Sequence, residues 1–117
     1  KGEQVITEIK STTRVENNVA CFPDGVSSRA SSHLTKLMEL AVEQTKTMII
    51  FVVQRRSKSF WPCEKIDPKF SRIFQTALEV TNLGIRVVLA TSKLIEKAGK
   101  KYIDTEFISE LPIIKPK

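Results

Sequence analysis

Glu8 and Lys10 stand two residues apart within residues 4–14, a stretch rich in β-branched side chains. Side chains two apart on a strand share a face, so this spacing sets a carboxylate beside an ammonium. The pair suits phosphodiester hydrolysis. Glu8 would hold a divalent cation such as Mg2+, and Lys10 would position the attacking water or offset developing charge. An acidic residue two before a lysine arises by chance roughly once in a chain of this size, so the pair gains weight only from its position. Asp24, in Pro23-Asp24-Gly25, is the second candidate metal ligand, and its alternative role is to fix the turn or cap the following helix.

Arg29 and His33 are four apart and would share a helix face, presenting both to a phosphate near a helix N-terminus. A packed or capping histidine is the alternative reading. Gln54 and Arg55 follow the most apolar run of the chain, where open α/β sheets tend to place ligands, unless they are only a solvated strand end. Arg55-Arg56-Ser57-Lys58-Ser59-Phe60-Trp61 mixes three cations with two aromatics. Arg55, Arg56 and Lys58 could grip a nucleic-acid backbone while Trp61 stacks an unpaired base. In the alternative, Phe60 and Trp61 pin a charged loop to the core. Lys93, Lys97, Lys100 and Lys101 read as a solvated cationic face.

The elements that must position these residues are read from patterning. Residues 4–14 form a strand, Asn17-Asn18 a turn and residues 19–22 a second strand, together a hairpin. Ser27 or Ser28 caps a helix with Leu34, Leu37, Met38 and Ala41 on its buried face. Met48-Ile49-Ile50-Phe51-Val52-Val53 reads as a central strand covered on both sides by helices. Asp67-Pro68 starts a second helix with Phe70, Ile73, Phe74, Ala77 and Leu78 on one side, ended by Asn82 and Gly84. Residues 85–90 are a further strand, so a right-handed crossover and a parallel pair are expected. Residues 92–102 read as a short Lys-rich helix and residues 105–117 as an irregular or extended tail.

At 117 residues and 41% apolar, the chain supports one ordinary core. No apolar run approaches the roughly 18–20 residues of a membrane helix, and no signal peptide is recognisable, so a soluble protein without a membrane partner is expected. Nineteen Lys plus Arg against thirteen Asp plus Glu leave a formal charge of +6, which favours an anionic partner. Cys21 and Cys63 lack the paired spacing of a zinc or redox motif. Both are expected to be reduced, which points to the cytoplasm or an organelle matrix.

The order of strand, hairpin, helix, buried strand, helix and strand is that of a restriction-endonuclease-like α/β core with a mixed sheet. The sequence also resembles the sugar fermentation stimulation protein family. The resemblance is carried by Glu8-Ile9-Lys10-Ser11-Thr12-Thr13, by Phe22-Pro23-Asp24 with Arg29 and His33-Leu34, and by Phe51-Val52-Val53-Gln54-Arg55. Ile66-Asp67-Pro68-Lys69-Phe70 and Gly84-Ile85-Arg86-Val87 continue it in order. It implies a nuclease-like C-terminal domain of the PD-(D/E)XK kind that normally follows an OB-like domain, in DNA-binding proteins linked to sugar metabolism. It also implies that an aspartate from an earlier strand completes the metal site, supplied from upstream of Lys1 or by a partner chain. Ala30, Ser32, Arg56-Ser57-Lys58 and the region after Thr91 depart from the family pattern.

The expected organisation is a nuclease-like domain over residues 1–91, with residues 92–117 a divergent basic extension of it. The expected function is nucleic-acid binding, with DNA as the partner, around an incomplete metal site. One alternative is an active Mg2+-dependent nuclease once the site is completed. The other is a structural subunit that docks through the apolar tail Phe107-Ile108 and Leu111-Pro112-Ile113-Ile114.

Overall fold

A computed structural model describes residues 4–117. Strands β1 (Ile6–Thr12), β4 (Thr47–Val53), β6 (Leu83–Lys97) and β7 (Lys100–Glu110) form one sheet in the order β1-β4-β6-β7. The first three run parallel, and β7 returns antiparallel to β6. A smaller sheet, β2-β3-β5, joins β2 (Arg14–Glu16), β3 (Val19–Cys21) and β5 (Ser59–Phe60). Helix α1 (Ser28–Val42) connects β3 to β4, and α2 (Pro68–Ala77) connects β5 to β6. The expected mixed α/β architecture with a parallel pair is therefore present.

The hairpin differs from the expected one. The run over residues 4–14 divides at Thr13. Its first part pairs in parallel with β4, Glu8 opposite Ile49 and Lys10 opposite Phe51. Only β2 turns back on β3, through Asn17 and Asn18, whose φ values of 52° and 67° suit a two-residue hairpin turn. Short-range pattern locates the turn, but the partner of β1 lies some 40 residues away and is set by packing.

Both helices lie on one face of the sheet, so β4 is covered by helix on one side rather than two. Ile49, Phe51 and Val53 are fully buried beneath α1 and α2, whereas Met48, Ile50 and Val52 on the opposite face keep intermediate exposure. Phe51 is the hub of the core. Its ring lies 4.8 Å from Phe60, 5.3 Å from Phe22, 5.9 Å from Phe74 and 6.4 Å from Phe70, centroid to centroid, in the range of favourable aromatic pairs.

The caps fall where the sequence places them. Ser27 Oγ accepts from the Ala30 amide at 3.0 Å, and Asp67 Oδ1 from the Phe70 amide at 3.0 Å. Asp67 does more than cap. Its second oxygen, Oδ2, accepts from the Ser27 amide at 2.9 Å, so one buried carboxylate ties the start of α2 to the start of α1. At the far end of α1, Gln44 takes φ 73° and the Gln44 and Thr45 amides donate to Ala41 and Leu40, closing the helix without a glycine.

Two further expectations are corrected. Cys21 and Cys63 are joined in a disulfide across a sequence separation of 42. The parallel pairing of β3 with β5 carries their Cα atoms to 5.1 Å, and the Cys63 amide donates to Phe22 O. The step from free thiols to a reducing compartment thus loses its premise. Residues 92–102 are not a helix but most of a two-stranded ribbon. Strand β6 runs through position 91 to Lys97, turns at Ala98 (φ 53°) and Gly99 (φ 76°), and returns as β7 to Glu110. The tail beyond tucks back onto this chain. Leu111 is buried with its amide on Val87 O, and Phe60 exchanges backbone hydrogen bonds with Pro112 and Ile114.

Candidate functional site

Alternation along β1 turns Glu8, Lys10 and Thr12 toward the helix-covered face and leaves Thr7, Ile9 and Ser11 exposed. The register with β4 places Lys10 beside buried Phe51, so its stem packs inward and its side chain is only 14% exposed. Across from it, α1 contributes His33. Lys10 Nζ lies 2.9 Å from His33 Nδ1 and 3.3 Å from Glu8 Oε2, and Glu8 Oε2 lies 3.3 Å from the same ring nitrogen.

One ring nitrogen cannot both accept from the ammonium and donate to the carboxylate. Lys10 has only protons to give. Lys10 donates to Glu8 and, where the ring presents Nδ1 as an acceptor, to His33 as well. Glu8 and His33 each keep about a third of their side-chain surface open, so the cluster has a solvated mouth over a half-buried lysine. Thr12, two residues past Lys10, has a buried hydroxyl without a hydrogen-bond partner among the described residues.

The remaining candidates divide by position. Arg29 is exposed one turn before His33 on α1, without a hydrogen bond or ion pair among the described residues. Gln54 is exposed at the end of β4, and its amide donates to Thr12 O at 3.0 Å. Arg55 Nη1 donates to Thr13 O at 3.4 Å, so both residues flank the end of the strand that carries Glu8 and Lys10. Arg56 and Lys58 are exposed in the following loop, held by the Lys58 amide on Asn18 O and by Ser57 Oγ on Arg55 O. Trp61 is not available for stacking. It is 8% exposed, packs edge-on against Phe74 at 6.0 Å and donates from Nε1 to Glu64, so with Phe60 it pins the loop to the core.

Asp24 sits exposed between β3 and α1; Ser27 rather than Asp24 caps α1, and Asp24 makes no ion pair among the described residues. Among the described residues no group of three or more His, Cys, Asp or Glu could hold a metal ion. Glu8 supplies one carboxylate, where a hard divalent cation takes several oxygen ligands. The described residues therefore do not fit Mg2+ unaided. A cleft of about 510 Å³ lies elsewhere, between Arg14, Cys21, Trp61, Cys63 and Lys115, and shares no residue with the Glu8–Lys10–His33 cluster.

The contact between Lys10 and His33 was not read from the sequence, which paired His33 with Arg29 by helical spacing. The available signal was the strand–helix–strand order, because a crossover helix must pack on the strands it joins.

The family model for the sugar fermentation stimulation protein RE domain matches residues 1–98. The chain belongs to the sugar fermentation stimulation protein family. A homologue from Saccharolobus solfataricus is 34% identical over 116 residues, covering 98% of this chain and 45% of the relative. One from Maridesulfovibrio salexigens is 41% identical over 73 residues, covering 62% of this chain and 30% of the relative. Among solved structures, that of Pyrococcus furiosus SfsA in complex with Ca2+ matches with a TM-score of 0.76 at 27% identity, covering 95% of this chain and 45% of that one. This family member thus spans less than half the length of the relatives it matches. The family match ends at Ala98, within the turn between β6 and β7.

Proposed function

We propose that this sugar fermentation stimulation protein family domain binds nucleic acid, with DNA as the partner, on the surface where β1 meets α1. The observation that carries the reading is the Glu8–Lys10–His33 cluster, a largely enclosed lysine with a solvated mouth, with exposed Arg29, Gln54 and Arg55 around it and exposed Arg56 and Lys58 in the loop that follows β4. A formal charge of +6 supplies the long-range attraction to phosphates. Arg29, Arg56 and Lys58 are the backbone contacts in this reading, Arg55 and Gln54 hold the strand end, and Lys10 and His33 meet a phosphate at the mouth. Trp61 has no part in it.

A second reading has one specific support. The Pyrococcus furiosus relative was solved with Ca2+, and Glu8 beside Lys10 is the pairing a cation-assisted phosphodiesterase uses. A bound divalent cation would polarise the phosphate and lower the pKa of bound water. In this reading Glu8 is one ligand, the others come from outside the described residues, and Lys10 holds its ammonium toward the phosphate with His33 fixing its position.

DNA binding measured by fluorescence anisotropy against salt tests the first reading. A negative linear dependence of log K on log salt is expected, with a slope reduced by about one for each of Arg56→Ala and Lys58→Ala. Salt-independent binding, or none at low salt, would end it. For the second reading, cleavage is assayed with Mg2+ or Mn2+ alone and again with the segment of a longer relative that this chain does not match supplied. Activity lost in Glu8→Ala and Lys10→Ala, with folding retained, supports catalysis. Binding that survives both variants without cleavage leaves the domain a binder.

A further inference from the structure

Every residue from 91 to 108 in the β6–β7 ribbon is exposed, so this part of the sheet has no core of its own. Two-stranded ribbons in water are marginal unless a face or an edge is covered. The ribbon nevertheless carries exposed apolar side chains on both faces, Ile95 opposite Tyr102 on one and Leu94 opposite Ile103 on the other. Leu94 opposes Ile103 in the cross-strand register, at 65% and 74% exposure, with Phe107 on the same face at 63%. Strand β7 is also the outer strand of the sheet, and its far edge pairs with nothing among the described residues. Such an edge is a ready template for another strand.

The charge order along β7 says which strand. Lys100 and Lys101 stand at its start, and Asp104, Glu106 and Glu110 follow. Within the ribbon, Lys100 faces Lys97 and Glu106 faces Thr91, so neither finds an opposite charge across the ladder. Two copies of β7 laid antiparallel about a two-fold axis at Ile103 would set Lys100 of each against Glu106 of the other. Both lie on one face, since they are an even number of residues apart. Ile103 would meet Ile103, giving a continuous row of Leu94, Ile103, Ile103 and Leu94 across the junction. A parallel, in-register arrangement would instead stack lysine on lysine and glutamate on glutamate, which cross-strand energetics oppose.

We infer that β7 is a self-association edge through which two copies of this chain join antiparallel into one continuous sheet. A two-fold axis makes the contact isologous and closed, so it ends at a dimer. The occupant is a second copy because the edge is complementary to itself in charge and in its apolar row. This contact is independent of the nucleic-acid reading, which concerns the opposite edge of the sheet.

Sedimentation velocity over a concentration series tests it on the full chain. Wild type is expected to pass from monomer to dimer as concentration rises. Lys100→Glu and Glu106→Lys, which set like charges across the axis, should each shift the transition to at least tenfold higher concentration. The double variant Lys100→Glu with Glu106→Lys should restore it, and Ile103→Lys should abolish it. Circular dichroism checks that each variant stays folded. A monomer at the highest soluble concentration, a dimer indifferent to Ile103→Lys, or a double variant no better than the singles would each overturn the inference.

Discussion

Replacing Asp67 by alanine should be among the most damaging single changes outside the aromatic core. The carboxylate is 3% exposed and accepts two backbone amides, Phe70 at 3.0 Å and Ser27 at 2.9 Å. Loss of an N-cap costs about 1 kcal/mol. A second amide left without its acceptor in a part-buried site costs about 1–3 kcal/mol more. The expected destabilisation is therefore about 2–4 kcal/mol. For 117 residues that lowers Tm by about 8–16 °C, at roughly 4 °C per kcal/mol. Asp67→Asn keeps one acceptor oxygen but turns an NH2 toward the other amide, so it should fall between wild type and alanine. Urea unfolding followed by the fluorescence of Trp61, the one tryptophan and a buried one, reads both variants. Asparagine matching wild type, or alanine costing under about 1 kcal/mol, would show that the bridge between the helix starts contributes nothing.

Three other outcomes follow from the packing. Phe51→Ala removes the hub of the aromatic core and should cost about 3–5 kcal/mol by chemical denaturation, against far less for Ile9→Ala on the exposed face. Reducing the Cys21–Cys63 bridge, which closes a separation of 42 residues, should lower stability by about 4 kcal/mol in the chain-entropy account. An unchanged urea midpoint with reductant, or two thiols titrating in the oxidised native protein, would contradict it. Ala98 holds φ 53° in the ribbon turn, so Ala98→Gly should strengthen the β6–β7 ladder by roughly 0.5–1 kcal/mol, seen as slower amide exchange from Thr91 to Lys97.

Local chemistry was legible and partner choice was not. Ser27, Asp67-Pro68, Asn17-Asn18 and the run from Met48 to Val53 each carry their structural meaning within a few residues, and each appears where patterning placed it. Placing Glu8 and Lys10 on one face needed only the alternation of a strand. What failed depended on distant chain. The parallel partner of β1, the one-sided helix layer and the pairing of Cys21 with Cys63 all follow from how β3, β4 and β5 are brought together. Residues 92–102 misled for a different reason. Lys, Glu, Ala and Leu favour helix as isolated residues, yet pairing with β7 and the Ala98-Gly99 turn override a weak local preference. Of the site, the Lys10–His33 contact needed the crossover of α1 over the sheet, and the sequence left Trp61 open between stacking and core packing because an aromatic beside cations looks the same whether it faces water or core.

The register of β1 against β4 has a consequence for how this family can vary. Lys10 meets His33 only because Glu8, Lys10 and Thr12 point toward α1 while Thr7, Ile9 and Ser11 point away. One residue inserted or deleted within Ile6–Thr12 would exchange the two sets. It would send both charges to the bare face and bring Ile9 and Ser11 beneath the helix. The same length change in the loop over residues 22–27 would leave the cluster in place. Relatives that keep this site should therefore show gaps freely before α1 and none inside β1, even where the residues between Glu8 and Lys10 differ.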